Sequence, residues 1–125
     1  MKLFSRCFFL FSLFISANLY AEPTGEGNID FNALATQCHA IAVKLDTLSQ
    51  AQNRKVCAKN LDGLNVYYAG SYITFQWINK AIEVLTAAII QINYAYDTDC
   101  YYPNDIKTII DKLTTIRNQL YASQQ

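Results

Sequence analysis

The stretch Leu64–Tyr96, LNVYYAGSYITFQWINKAIEVLTAAIIQINYAY, decides the fold. Taken at alternating steps of four and three it yields Leu64, Tyr68, Ser71, Phe75, Ile78, Ile82, Leu85, Ile89, Ile92 and Tyr96. Only Ser71 among them is neither apolar nor aromatic. Residues at that spacing stack on one side of an α-helix. The pattern predicts one long central helix. Trp77, Ala81, Val84, Ala88 and Ala95 widen its apolar surface, so it is expected to be covered on more than one side. Gly70-Ser71 is its weak point, because an interior glycine costs about 1 kcal/mol relative to alanine. If the helix splits there, Ser71 is a good cap for the remainder. Lys80, Glu83 and the short uncharged run Val84–Ile92 argue against a membrane span.

On the N-terminal side, Phe31, Leu34, Cys38, Ile41, Leu45 and Leu48 form a second stripe, flanked by Ala35 and Ala42. Asp30 or Asn28 is placed to cap its start. Ser49–Lys55 is polar except for Ala51, and the apolar phase slips before Val56, Cys57 and Leu61. Helix propensity favours continuity to about Asn60; the slip favours a break near residues 49–53. Continuity is the preferred reading. Asp62-Gly63 then ends the helix, with Gly63 expected in the left-handed conformation. On the C-terminal side, Asp97–Tyr102 reads as a turn. Pro103 suits the first helical position, and Asp105 complements the dipole in the first turn. Ile106, Ile109, Leu113, Ile116 and Leu120 make the third stripe. Nothing alternates at period two long enough for a strand. The expected fold is all-α, a small antiparallel bundle of three long helices over residues 30–123.

The first 21 residues are set apart from that bundle. Lys2 and Arg6 precede the apolar run Cys7–Ile15, and small and polar residues lead to Leu19-Tyr20-Ala21. This is the pattern of a signal peptide cleaved after Ala21, too short to span a membrane. Residues 22–29, with Pro23, Gly25 and Gly27, read as a flexible leader. The expected location is periplasmic or secreted.

An oxidising compartment favours disulfides, and Cys38, Cys57 and Cys100 remain after cleavage. Cys38–Cys100 is the favoured pair. Cys57 is the alternative partner if the first helix breaks. The odd cysteine is then a buried thiol or a bridge to another molecule, as in a disulfide-linked dimer.

Chemistry-bearing motifs fail on inspection. Cys38-His39 lacks the second cysteine of a haem site, since position 35 is alanine. Neighbours in a helix point about 100° apart, which disfavours a thiolate–imidazole pair. One histidine leaves a zinc site short of ligands. Asp97-Thr98-Asp99 with Asp105 departs from a calcium loop, having Tyr101, Tyr102 and Thr108 at its fifth, sixth and twelfth places. The mature part carries eight basic and ten acidic residues and no basic stripe, which excludes nucleic-acid binding. No catalytic residue, metal or cofactor is expected.

Tyrosine is the compositional excess. Tyr67, Tyr68 and Tyr72 lie at one end of the central stretch, and Tyr94, Tyr96, Tyr101 and Tyr102 at the other. The second group is the favoured partner surface; the alternative is that the rings close the ends of the core. The expected function is a non-enzymatic interaction module: an adaptor, inhibitor, accessory subunit or chaperone whose partner is another protein. The runner-up is a binder of a small apolar ligand within the bundle, beside Ala81, Ala88 and Ala95.

Overall fold

The first helix starts at an aspartate and ends where two successive residues turn left-handed. In the computed structural model, which describes residues 29–125, α1 spans Phe31–Gln50. Asp30 caps it, its side-chain oxygen accepting the Ala33 amide at 3.1 Å. Leu34, Ala35, Cys38, Ile41, Ala42, Leu45 and Leu48 are buried along one face, as their spacing predicts. Asn53 and Arg54 then adopt φ of 56° and 68°, so α1 does not run through to Asn60. The phase slip, not helix propensity, marks the break. Val56–Leu61 forms a short 3-10 helix that buries Cys57 and Leu61.

The long central helix is two helices, α2 at Leu64–Thr74 and α3 at Ile78–Asp97. Four helices replace the expected three, and among the described residues there is no strand. The split lies at Phe75–Trp77 rather than Gly70-Ser71. Gln76 has φ of 59°, the Trp77 amide donates to the Tyr72 carbonyl at 2.8 Å, and the Gln76 amide donates to Ile73 at 2.9 Å. These paired bonds are the Schellman arrangement, which normally places glycine where Gln76 stands. The turn also resets the apolar phase. Ile82, Leu85, Ile89 and Ile92 are buried as predicted, but α2 buries Val66, Ala69, Gly70 and Ile73 instead of Leu64, Tyr68 and Phe75.

Gly63, which precedes α2 as its cap, and Gly70 within it both serve close packing. Gly63 is right-handed, φ −83° and ψ 0°, contrary to expectation. A Cβ there would lie 2.5 Å from the Ala42 carbonyl oxygen. A Cβ on Gly70 would lie 2.6 Å from the His39 ring and 3.0 Å from the Ala35 oxygen. Gly63 against Ala42 and Gly70 against Ala35 bring α1 and α2 together antiparallel, with small residues seven apart on each helix.

α4 spans Pro103–Ala122, with Pro103 in its first turn and Asp105 beside it. Ile106, Ile109, Ile110, Leu113, Ile116 and Leu120 are buried. Each helix packs on its neighbour in sequence, around one core. Ala81, Ala88 and Ala95 are no more than 1% exposed, so neighbouring helices fill the space beside them. α1 and α4 meet only sparsely, leaving a surface groove of about 430 Å³ that includes Gln37, Ile41, Asp111 and Lys112.

The disulfide joins Cys57 to Cys100, not Cys38 to either of them. Cys38 sits midway along the buried face of α1, whereas the break after Gln50 carries Cys57 to the α3–α4 turn. Cys38 is fully buried, so its thiol does not reach the surface to bridge a second molecule.

Non-reducing peptide mapping should recover a Cys57–Cys100 linked peptide. Replacing both cysteines by serine should cost roughly 4 kcal/mol, the loop-entropy value for a 43-residue separation. Gln76→Gly should raise stability by roughly 0.5–1 kcal/mol, since it relieves a side chain held at positive φ. Denaturant unfolding reads both.

Candidate functional site

The Schellman turn ending α2 brings Trp77 back over Tyr72. Their rings stack with centroids 5.9 Å apart and an interplanar angle of 28°. A contact of this kind, across the turn, commonly accompanies the motif. The Phe75 ring lies 5.7 Å from that of Trp77. Along α2, Tyr72 meets Tyr68 and Tyr68 meets Tyr67, each at 6.5 Å. Tyr67 in turn lies 4.7 Å from the His39 ring of α1. The result is one unbroken row of rings from His39 to Phe75. It is largely in solvent: Phe75 is 67% exposed, Trp77 59%, Tyr67 51% and Tyr68 45%, with Leu64 beside them at 51%.

The surface is built by a conflict between pattern and turn. Had the helix continued past Thr74, Tyr68 and Phe75 would share the buried side of Ile82 and Leu85. The reset at Gln76 leaves them outside while Val66, Ala69 and Ile73 go in. No Asp, Glu, Lys or Arg occurs between Asp62 and Lys80. An uncharged aromatic surface of this size is a feature of contact sites.

The favoured tyrosines at the other end do not form one surface. Tyr94, Tyr96, Tyr101 and Tyr102 are all exposed, but only Tyr101 and Tyr102 bring their rings together, at 6.5 Å. Tyr94 and Tyr96 are two residues apart on α3 and so point about 200° apart around it. Tyr101 belongs to a staple instead. Gln52, fully buried, donates from Nε2 to the Tyr101 carbonyl at 3.0 Å and to Leu48 at 3.1 Å, while its Oε1 accepts the Tyr101 amide. Lys55 lies 4.6 Å from the Tyr101 ring centroid and pairs with Asp99 at 2.9 Å. That hydrogen bond raises the Lys55 amine above its ordinary pKa and lowers the Asp99 carboxyl below its own. Cys57–Cys100 closes the same junction. Gln52 was invisible to pattern reading, because a glutamine in a polar run reads as solvated.

Cys38 and His39 diverge as adjacent helical residues must. Cys38 faces the core and His39 faces α2. Burial pushes the Cys38 thiol up to about 12, so it is protonated and inert at neutral pH. Among the described residues, no group of three or more His, Cys, Asp or Glu could hold a metal ion, and no helix is long and apolar enough to cross a membrane. The expected signal peptide and leader, residues 1–21 and most of 22–29, lie outside the described residues.

No protein-family model matches the chain, and neither do curated proteins or solved structures.

Gln52→Leu should leave the Tyr101 backbone unpaired within the junction and lower stability by about 2–3 kcal/mol. Amide exchange at Tyr101 should accelerate with it.

Proposed function

We propose that this chain is an exported, non-enzymatic interaction module that docks another protein on the aromatic face of α2 and the α2–α3 turn. The row of rings from Tyr67 to Trp77, exposed except for the half-buried Tyr72, carries this reading. Tyrosine and tryptophan supply large contact area at low entropic cost and dominate binding energy at protein interfaces. Export rests on the basic and apolar start of the sequence, and the Cys57–Cys100 disulfide is consistent with an oxidising compartment, periplasmic or extracellular. Among the described residues, Cys38 is the cysteine outside the disulfide, and it is buried, which suits a role without nucleophilic chemistry. The roles of adaptor, inhibitor, accessory subunit and chaperone all use such a face. Storage of an apolar ligand between the helices has no comparable support, since the alanines beside which it would lie are covered.

Phe75→Ala and Trp77→Ala should each weaken partner capture from the exporting cell by about tenfold or more. Their melting temperatures should stay within a few degrees of the parent, because both side chains are mostly exposed. A drop in stability with undiminished capture would assign the rings to packing and defeat the proposal.

A further inference from the structure

The reversal between α2 and α3 sits inside a sequence pattern that does not require it. The four-and-three stripe runs from Leu64 to Tyr96 without a slip, and no glycine or proline lies between Ser71 and Tyr96. Two residues hold the turn. Phe75 is already close to right-handed backbone, with φ −87° and ψ 2°, whereas Gln76 has φ 59° and Trp77 has ψ 71°. A side chain at positive φ persists only where its surroundings hold it, and short strained connections are where copies of a chain exchange elements. Returning Gln76 and Trp77 to helical angles would join α2 and α3 into one rod.

The bridged chain cannot make that rod. From Leu64 to Tyr96 it would measure roughly 48 Å. The connections from Cys57 to Leu64 and from Tyr96 to Cys100 together reach roughly 40 Å when fully drawn out. The bridge adds only the 5.9 Å between its Cα atoms. In a single unbridged chain the rod would part α2 from α3 and expose the core between them. A second copy restores it. The α1–α2 half of one chain carries what the α3–α4 half of another needs: α2 and the 3-10 helix for α3, Gln52 for Tyr101, Lys55 for Asp99 and Cys57 for Cys100.

We propose that two copies of this chain exchange halves through a straightened α2–α3 helix, and that the Cys57–Cys100 bridge is the latch that keeps a single copy in its hairpin form. Every contact between the halves is made again between copies, so the complementarity already present in the core selects the partner. The latch closes in either form, once within a chain or twice between two. Opening it takes two electrons and two protons from a dithiol reductant and leaves two thiols. Closing it passes them to glutathione disulfide, which leaves as two glutathione thiols.

Light and heavy-isotope forms of the chain, purified from the exporting cell, are mixed equally and reduced. They are then reoxidised with glutathione disulfide at concentrations from about 1 µM to 1 mM, which bracket the effective concentration within one chain. Cys57–Cys100 peptides with one light and one heavy half should rise from near none towards about half of all pairs, the random limit for two copies. That material should sediment as a dimer with undiminished helical circular dichroism. The emission of Trp77, the chain's one tryptophan, should change, because Tyr72 and Trp77 do not stack when five apart in one helix. Gln76→Gly suits the turn and weakens the rod, so it should lower the dimerisation constant about fiftyfold. Gln76→Ala should raise it several-fold. Like-isotope pairs alone at the highest concentration overturn the exchange. So does a dimer whose bridges all lie within one chain, since it joins through another surface. Mixed pairs that Gln76→Gly leaves undiminished are chance cross-links and overturn it as well. Partner capture is read on the bridged monomer, so the docking role of the aromatic face stands or fails separately.

Discussion

The hydrogen bond from the Trp77 amide to the Tyr72 carbonyl, 2.8 Å long, is the constraint on which the rest of the molecule turns. It closes α2 and lets α3 start in a new direction. Without it the segment from Leu64 to Tyr96 would be one rod with a single continuous stripe. That stripe would pull Tyr68 and Phe75 inside and leave Val66 and Ile73 in water. The bond instead swaps the two sets. The cost is a glutamine at positive φ, about 1–2 kcal/mol in the absence of compensation. The stacked rings of Tyr72 and Trp77 offset part of it.

The second constraint is the distance between α1 and α2. Gly63 over Ala42 and Gly70 over Ala35 let two backbones approach until no Cβ fits between them. This approach brings His39 to Tyr67 and so extends the aromatic row across two helices. One helix pair therefore supplies both a contact too close for a Cβ and part of the exposed aromatic row.

The sequence was legible where periodicity and packing agree. The buried faces of α1 and α4, the second half of the central stripe, the Asp30 cap and the Pro103 start all follow from spacing and from orphan backbone groups. The failures share one cause. Both chain reversals that were misread are made by residues with side chains in left-handed backbone, Asn53-Arg54 and Gln76. Such turns carry no glycine or proline to announce them, and tertiary contacts elsewhere stabilise them. The two glycines, by contrast, invited readings as a helix stop and a weak point, though each marks a close approach. The disulfide followed the same error. With α1 continuous, Cys57 has no route to Cys100. With α1 ended at Gln50, the two meet and Cys38 is left in the core. The aromatic residues at both ends were visible, but which end forms a surface depended on the turn at Gln76. The lack of charge from Gly63 to Asn79 was the one signal that distinguished them.

The link between Cys57 and Cys100 also makes α2 and α3 parts of a covalently closed ring. The exposed turn at Phe75–Trp77 lies within that ring. A protease nick there would separate neither fragment, and the two halves would stay tethered until the sulfurs were reduced.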